Sequence, residues 1–232
     1  MNGILPACGS AVRMGGIPKM LLPVPGGTLM SVMVRRMRRC ATHVHVGSTG
    51  LTHDILEALY GQDVVMHRFT PTATMTQTVI NLQHFTEKRS VFFGMPDTWF
   101  DDDDAFLKLY GPLLDGAMVS VGVFCAREDQ HTEGGMCILD DNVVVRIVDK
   151  SPERASDWIW GVLAWTPDFD VYMNERDPHV GYGVQRAIEH GADVRAVKMS
   201  GQYFDCGTTE RYFRLIRHLT RGHDENTDYD QR

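Results

Sequence analysis

Short apolar runs alternate along this chain with longer stretches in which apolar residues recur at helical spacing. The runs predict strands over 3–7, 43–46, 64–67, 91–95, 118–124, 136–139, 143–148, 161–165 and 194–198. The helical stretches predict helices over 28–39, 52–60, 76–85, 103–114, 182–190 and 209–221. In the first of these, Leu29, Val32, Met33 and Met37 fall on one stripe at i, i+3, i+4 and i+8. Strand–helix alternation through the first half is the pattern of a mostly parallel sheet covered on both faces. The two runs flanking Asp140-Asp141-Asn142 read as a hairpin, which adds an antiparallel piece. The expected class is α/β, with a mostly parallel mixed central sheet and an added antiparallel hairpin. Residues 1–221 form a single domain in this reading, and 222–232, with no aliphatic residue, a flexible tail.

Composition narrows the function classes. With 232 residues, 43% hydrophobic and 23% charged, the chain has the balance of a soluble globular protein. Lys and Arg number 23 against 30 Asp and Glu, a net charge of −7. That balance argues against a general nucleic-acid binder or a binder of anionic membranes. No apolar run approaches the ~20 residues of a membrane-spanning helix. The N-terminus enters a strand-like segment without the features of a signal peptide, so a cytoplasmic location is expected. An anionic substrate would have to be met by local basic residues or a metal ion. Cys8, Cys40, Cys125, Cys137 and Cys206 show no C-x-x-C spacing and are expected to be buried free thiols.

The first predicted strand runs into Ala7-Cys8-Gly9-Ser10-Ala11-Val12-Arg13-Met14-Gly15-Gly16-Ile17-Pro18-Lys19. Small residues after a buried strand let the backbone approach a ligand, with N–H groups aimed at phosphate oxygens. Arg13 can grip a phosphate through two parallel hydrogen bonds, and Lys19 supplies a compact positive charge. The Gly-Lys-Ser/Thr ending of an ATPase phosphate loop is absent, as is the G-x-G-x-x-G dinucleotide fingerprint. The segment resembles the opening signature of the sugar-1-phosphate nucleotidyltransferases: small residues, then Arg-Met or Arg-Leu, then Pro-Lys. Ala11 stands where that signature has glycine, and Val12 where it has threonine. The resemblance implies a three-layer nucleotide-diphospho-sugar transferase fold of the GT-A, Rossmann-like type. It also implies that Ala7, Gly9, Ser10, Ala11, Val12 and Arg13 bind the nucleotide. Arg13 and Lys19 would act in catalysis, Lys19 spanning the α-phosphate and the leaving pyrophosphate.

Two acids stand at the ends of apolar segments. Asp97 follows Val91-Phe92-Phe93-Gly94-Met95-Pro96, at the strand end where open α/β sheets bind ligands. Asp205 lies in Tyr203-Phe204-Asp205-Cys206-Gly207-Thr208, ahead of the last helix. Either alone suits a helix cap or a turn. Together they suit one Mg²⁺, which takes one or two carboxylates, keeps waters and accepts phosphate oxygens. Met95-Pro96-Asp97 resembles the family's metal-binding strand end, and Phe204–Thr208 its Asp-x-Gly-Thr segment. Asp101-Asp102-Asp103-Asp104 contains the D-x-D of many metal-dependent glycosyltransferases. Those acids are expected instead in the first turn of 103–114, where they favour the positive end of the helix dipole.

Ile147-Val148-Asp149-Lys150-Ser151-Pro152 is similar to the family's Glu-Glu-Lys-Pro segment. The resemblance gives Asp149 the sugar hydroxyls and Lys150 the sugar phosphate, with Gly135 and Gly161 letting backbone meet the sugar. Trp158 and Trp160, beside a strand, are expected in the core. Phe69-Thr70-Pro71-Thr72-Ala73-Thr74-Met75-Thr76-Gln77 offers hydroxyls where the family reads the base, but no matching reader, so the base stays open.

The expected reaction joins a nucleoside triphosphate to a sugar 1-phosphate, with Asp97 and Asp205 on Mg²⁺ and release of pyrophosphate. Three alternatives stay open at this point. They are a cytidylyltransferase acting on phosphocholine or an alditol phosphate, a GT-A glycosyltransferase using Asp101–Asp104, and a non-catalytic module that binds nucleotide sugar. The family often forms homo-oligomers, and no interface is legible here.

Overall fold

The computed structural model of the chain describes residues 1–9, 18–128, 130–132 and 134–224. The elements follow in chain order. β1 (Asn2–Ala7) is followed by a small hairpin, β2 (Pro23–Val24) and β3 (Gly27–Thr28), and by α1 (Leu29–Arg38). β4 (Val44–Thr49), α2 (Gly50–Tyr60), β5 (Val65–Phe69), α3 (Met75–Gln83) and β6 (Val91–Phe93) continue the alternation. β7 (Thr98–Phe100), α4 (Ala105–Leu114) and β8 (Val119–Cys125) come next. β9 (Gly135–Asp140), β10 (Val143–Asp149) and β11 (Trp158–Trp165) run in sequence. α5 (Gly181–Glu189), β12 (Val194–Lys198), β13 (Tyr203–Asp205) and α6 (Thr209–Asp224) close the chain. α6 passes the predicted end at 221, and residues 225–232 of the expected tail lie outside the described residues.

Among the described residues, nine strands form one mixed sheet in the order β5-β4-β1-β6-β11-β8-β12-β10-β9. β5, β4, β1 and β6 are parallel neighbours, and β12 is parallel to β8. β11 runs antiparallel to both β6 and β8, while β10 pairs antiparallel with β12 and β9. The sheet therefore separates two cores, because successive side chains of a strand point to opposite faces. Leu5, Phe92, Val162 and Ala164 pack with Met30, Met33, Met37, Phe106 and Leu109 of α1 and α4. Their neighbours Ile4, Phe93, Leu163 and Trp165 pack with Val79, Leu82, Val184 and Ala187 of α3 and α5. Among the described residues no helix is long and apolar enough to cross a membrane.

Local chemistry fixes the element ends that matter for the cleft. Thr28 caps α1 reciprocally: its hydroxyl accepts from Ser31 N at 3.1 Å, and Ser31 Oγ accepts from Thr28 N at 2.8 Å. Thr74 caps α3, its hydroxyl accepting from Gln77 N at 3.0 Å. The β9–β10 hairpin turns at Asp141, whose φ of +54° lies in the left-handed region that aspartate tolerates. β7 and β13 pair only with each other, Asp205 opposite Thr98, Phe204 opposite Trp99 and Tyr203 opposite Phe100. That two-stranded ribbon has no counterpart in the periodicity of the sequence.

α4 begins at Ala105, so the four acids lie ahead of it rather than in its first turn. Each holds a different partner. Asp102 is buried and takes Lys108 Nζ at 2.5 Å and Ser200 N at 2.8 Å; Asp103 takes Arg36, Asp104 takes Arg39, and Asp101 takes His218. The expected burial of all five cysteines is corrected as well. Cys137 and Cys206 are buried, Cys8 and Cys40 half-buried, and Cys125 exposed.

Candidate active site

A cleft of about 780 Å³ opens beyond the carboxyl ends of β1, β6 and β10. Pro6, Cys8 and Gly9 bring the β1 end into it, and Lys19 stands on the same wall. Ala7 lies between them with its side chain turned into the core. Ser10, Ala11, Val12 and Arg13 lie outside the described residues.

Asp97 and Asp205 both reach the cleft. The β7–β13 ribbon joins them, since Asp205 pairs across from Thr98 and Cys206 N donates to Asp97 O at 3.2 Å. Lys19 Nζ stands 3.6 Å from Asp97 Oδ2. Burial pushes the Asp97 carboxyl above the usual carboxylate range, the charge of Asp205 pushes it further, and Lys19 pulls the other way. Asp205 Oδ2 accepts from Arg211 Nη1 at 2.8 Å, so its carboxylate is oriented from α6. Beside the acids, the Tyr203 phenol is pushed well up, first by burial and then by Asp205 and Asp97. The Tyr203 carbonyl accepts from Gln130 Nε2 and Arg127 Nη1, each at 2.8 Å.

At the other end of the cleft stand Gly134, Gly135, Asp149, Lys150, Trp160 and His179. Gly135 packs flat against an indole: a Cβ there would lie 2.2 Å from Trp160 Nε1. Lys150 takes φ +44°, a left-handed conformation that a lysine holds only under constraint, and its N–H donates to Gly134 O at 3.2 Å. Asp149 is held by two donors, one just ahead of α5 and one in its first turn. His179 Nε2 is 3.1 Å from Oδ1, and the Tyr182 hydroxyl donates to Oδ2 at 3.4 Å. Trp160, expected in the core, is both buried and part of this wall.

Gly161 is not brought to the cleft. It sits at the register shift of β11 between Trp160 and Val162, and a Cβ there would meet the Tyr203 and Phe124 rings at 2.7–2.8 Å. Its lack of a side chain makes room for the Tyr203 and Phe124 rings. Thr72, Thr74 and Thr78 also line the cleft, Thr72 and Thr78 sharing a hydrogen bond of 2.7 Å. Gln77, in the same segment, is spent locally, its Oε1 accepting from Ala73 N at 2.8 Å.

His179, Gln130 and Tyr203 have no motif that marks them in the sequence. His179 comes from the segment between β11 and α5, and such connecting segments carry site residues without a periodic signature. Among the described residues no group of three or more His, Cys, Asp or Glu side chains is gathered as for a metal held by protein ligands alone.

No protein-family model matches the chain, and no curated protein matches it in sequence. Solved structures do match its fold. A Bacillus anthracis protein assigned as a glucose-1-phosphate thymidylyltransferase, in complex with a sucrose, superposes with TM-score 0.82 at 18% identity. That match covers 100% of this chain and 98% of the other. The inositol-1-phosphate CTP transferase from T. maritima gives 0.77 at 14%, covering 95% and 96%. A UTP-bound UGPase from Acinetobacter baumannii gives 0.77 at 14%, covering 99% of each chain. These structural neighbours are nucleotidyltransferases, and at such identities the likeness establishes the fold.

Proposed function

We propose that this protein is a cytoplasmic nucleotidyltransferase, built on a three-layer GT-A type fold, that couples a nucleoside triphosphate to a sugar 1-phosphate and releases pyrophosphate. The observation that carries the reading is the meeting of Asp97 and Asp205 beside Lys19, at the open carboxyl end of β1. Fold neighbours that include a UTP-bound protein support it.

The acceptor's phosphate oxygen attacks the α-phosphate and needs no general base, so the protein's tasks are to align two anions and to offset their charge. The residues present fit Mg²⁺: two carboxylates converge, and the raised Asp97 is where a cation would relieve like-charge repulsion. When bound, that ion supplies charge neutralisation at the phosphate oxygens. Lys19, freed from Asp97, follows the charge that moves from the α-phosphate onto the leaving pyrophosphate. The backbone of Gly9 through Val12 and the Arg13 guanidinium hold the triphosphate. Lys150 draws in the acceptor phosphate, while Asp149 and the Gly135 backbone face the acceptor's hydroxyls.

The test is a panel of nucleoside triphosphates and phosphorylated acceptors with magnesium, read by pyrophosphate release. At least one pair with a sugar 1-phosphate should turn over with stoichiometric nucleotide sugar. Release of nucleoside diphosphate from a nucleotide sugar, or binding without any pyrophosphate, would overturn the reading.

A further inference from the structure

The acceptor end of the cleft contains a side chain whose position is over-determined. Gly181 N donates to His179 Nδ1 at 3.2 Å, so the imidazole proton sits on Nε2. Nε2 is the atom 3.1 Å from Asp149 Oδ1. The absence of a side chain at Gly181 makes room for the ring, since a Cβ there would stand 3.0 Å from His179 Nδ1 and Cε1. The ring lies against Trp160 on one side and Tyr182 on the other, with centroids 5.8 Å and 5.0 Å away.

The segment that carries His179 is itself tied down at several points. Arg186 donates to Tyr172 O at 2.9 Å and 2.6 Å and pairs with Asp177, while Asp177 N donates to Asn174 O at 2.9 Å. Thr74 Oγ1, from the opposite wall of the cleft, donates to Glu175 O at 2.5 Å. His179 is 12% exposed and Asp149 20%, so the pair is sheltered yet open to the cleft. Each Asp149 oxygen keeps lone pairs beyond the His179 and Tyr182 contacts, and these can accept from a ligand's hydroxyls.

We propose that His179, seconded by Tyr182, is a positioning residue that aims the Asp149 carboxylate at the hydroxyls of the acceptor and so sets acceptor affinity. The inference rests on the nucleotidyl-transfer reading for the acceptor's presence, and adds a residue that no sequence motif marks. In this role His179 acts through Asp149 and not on the reacting phosphates.

Steady-state kinetics on the full-length protein test it, with a triphosphate and sugar 1-phosphate pair that the wild type uses. His179→Ala should raise the acceptor KM about 10-fold, the scale of losing a hydrogen bond to a charged group, with triphosphate KM and kcat within about twofold. His179→Gln, which places an amide N–H near the Nε2 position, should recover most of that loss. Tyr182→Phe should cost about threefold in the same constant. Removing one acceptor hydroxyl should weaken wild-type binding more than it weakens His179→Ala, because the two losses share one carboxylate. An unchanged acceptor KM in folded His179→Ala overturns the proposal. So does a joint rise in both KM values, the mark of a loosened wall, or a Gln variant no better than Ala. A wild type that releases pyrophosphate only with phosphocholine overturns the hydroxyl-reading role. A wild type that releases none with any pair overturns the function reading, and this inference with it.

Discussion

Lys19 Nζ and Asp97 Oδ2 are 3.6 Å apart at the mouth of β1, and Lys19 keeps 14% of its side-chain surface open. The lysine thus neutralises in part a carboxylate that burial and Asp205 make costly to ionise. In the proposed reaction Asp97 and Asp205 would hold the cation and Lys19 the phosphates.

Loss of either group should therefore fall on turnover. Lys19→Ala and Asp97→Asn are each expected to lower kcat by ~10²–10³, the scale of removing one preorganised electrostatic stabiliser. Pyrophosphate release under saturating substrates measures it, and near-normal turnover in either variant would remove that residue from the mechanism.

Asp102 should matter for stability and not for chemistry. Its buried carboxylate serves Lys108, Ser200 N and Ser200 Oγ, tying the approach to α4 to the segment after β12. Asp102→Ala removes the one buried acceptor that Lys108 and Ser200 share and is expected to cost about 1–3 kcal/mol in denaturant unfolding, the scale of hydrogen bonds to a charged group. Its kcat should match the wild type below the melting range. Inactivity in a well-folded Asp102→Ala protein would return the aspartate run to the list of metal sites.

Gly135→Ala should disturb the acceptor wall. The added methyl would overlap Trp160 Nε1, and an indole buried at 5% exposure has little room to yield. Overpacking of this kind costs about 1–3 kcal/mol. Thermal melts should show that loss, and the acceptor KM should rise while the triphosphate KM stays put.

A pH dependence follows from the histidines on β4 and β5. His45 Nδ1 lies 3.0 Å from His67 Nε2, and the rings stack with centroids 5.2 Å apart. Burial, followed by the charges of His67 and His43, lowers His45 to about 4. His67 is lowered too, by burial and then by His53. The unfolded chain therefore takes up protons that the folded one refuses between pH 6.5 and about 4, so stability is full above that window and declines on acidification through it. Melting temperatures measured across the window should fall less steeply for His45→Gln than for the wild type. Equal slopes would show that the pair does not govern the acid response.

Much of the fold was legible because its strands are long apolar runs and its helices carry clear stripes. β4 and β11 each extend three residues past their predicted bounds, yet no predicted strand is missing. β7 and β13 escaped notice because three-residue strands carry no period, and their partners are only each other. The acids they bring together stood out in the sequence all the same, Asp97 through the apolar strand that ends in Met95-Pro96 and Asp205 through its Asp-x-Gly-Thr pattern. At Gly161 the structure supplies a packing reason for the glycine, since an added Cβ would meet the Tyr203 and Phe124 rings, and residue order alone cannot tell that reason from contact with a sugar. His179 was invisible, since what defines it is a hydrogen bond from Gly181 and one to Asp149, neither of which leaves a trace in residue order.

The ribbon that joins Asp97 to Asp205 also dictates when the site can come into being. One strand of it is made near the middle of the chain and the other only after every strand of the main sheet. A chain still on the ribosome could complete that sheet and yet lack half of its acid pair. Ligand protection against proteolysis would then be confined to molecules finished almost to their last helix.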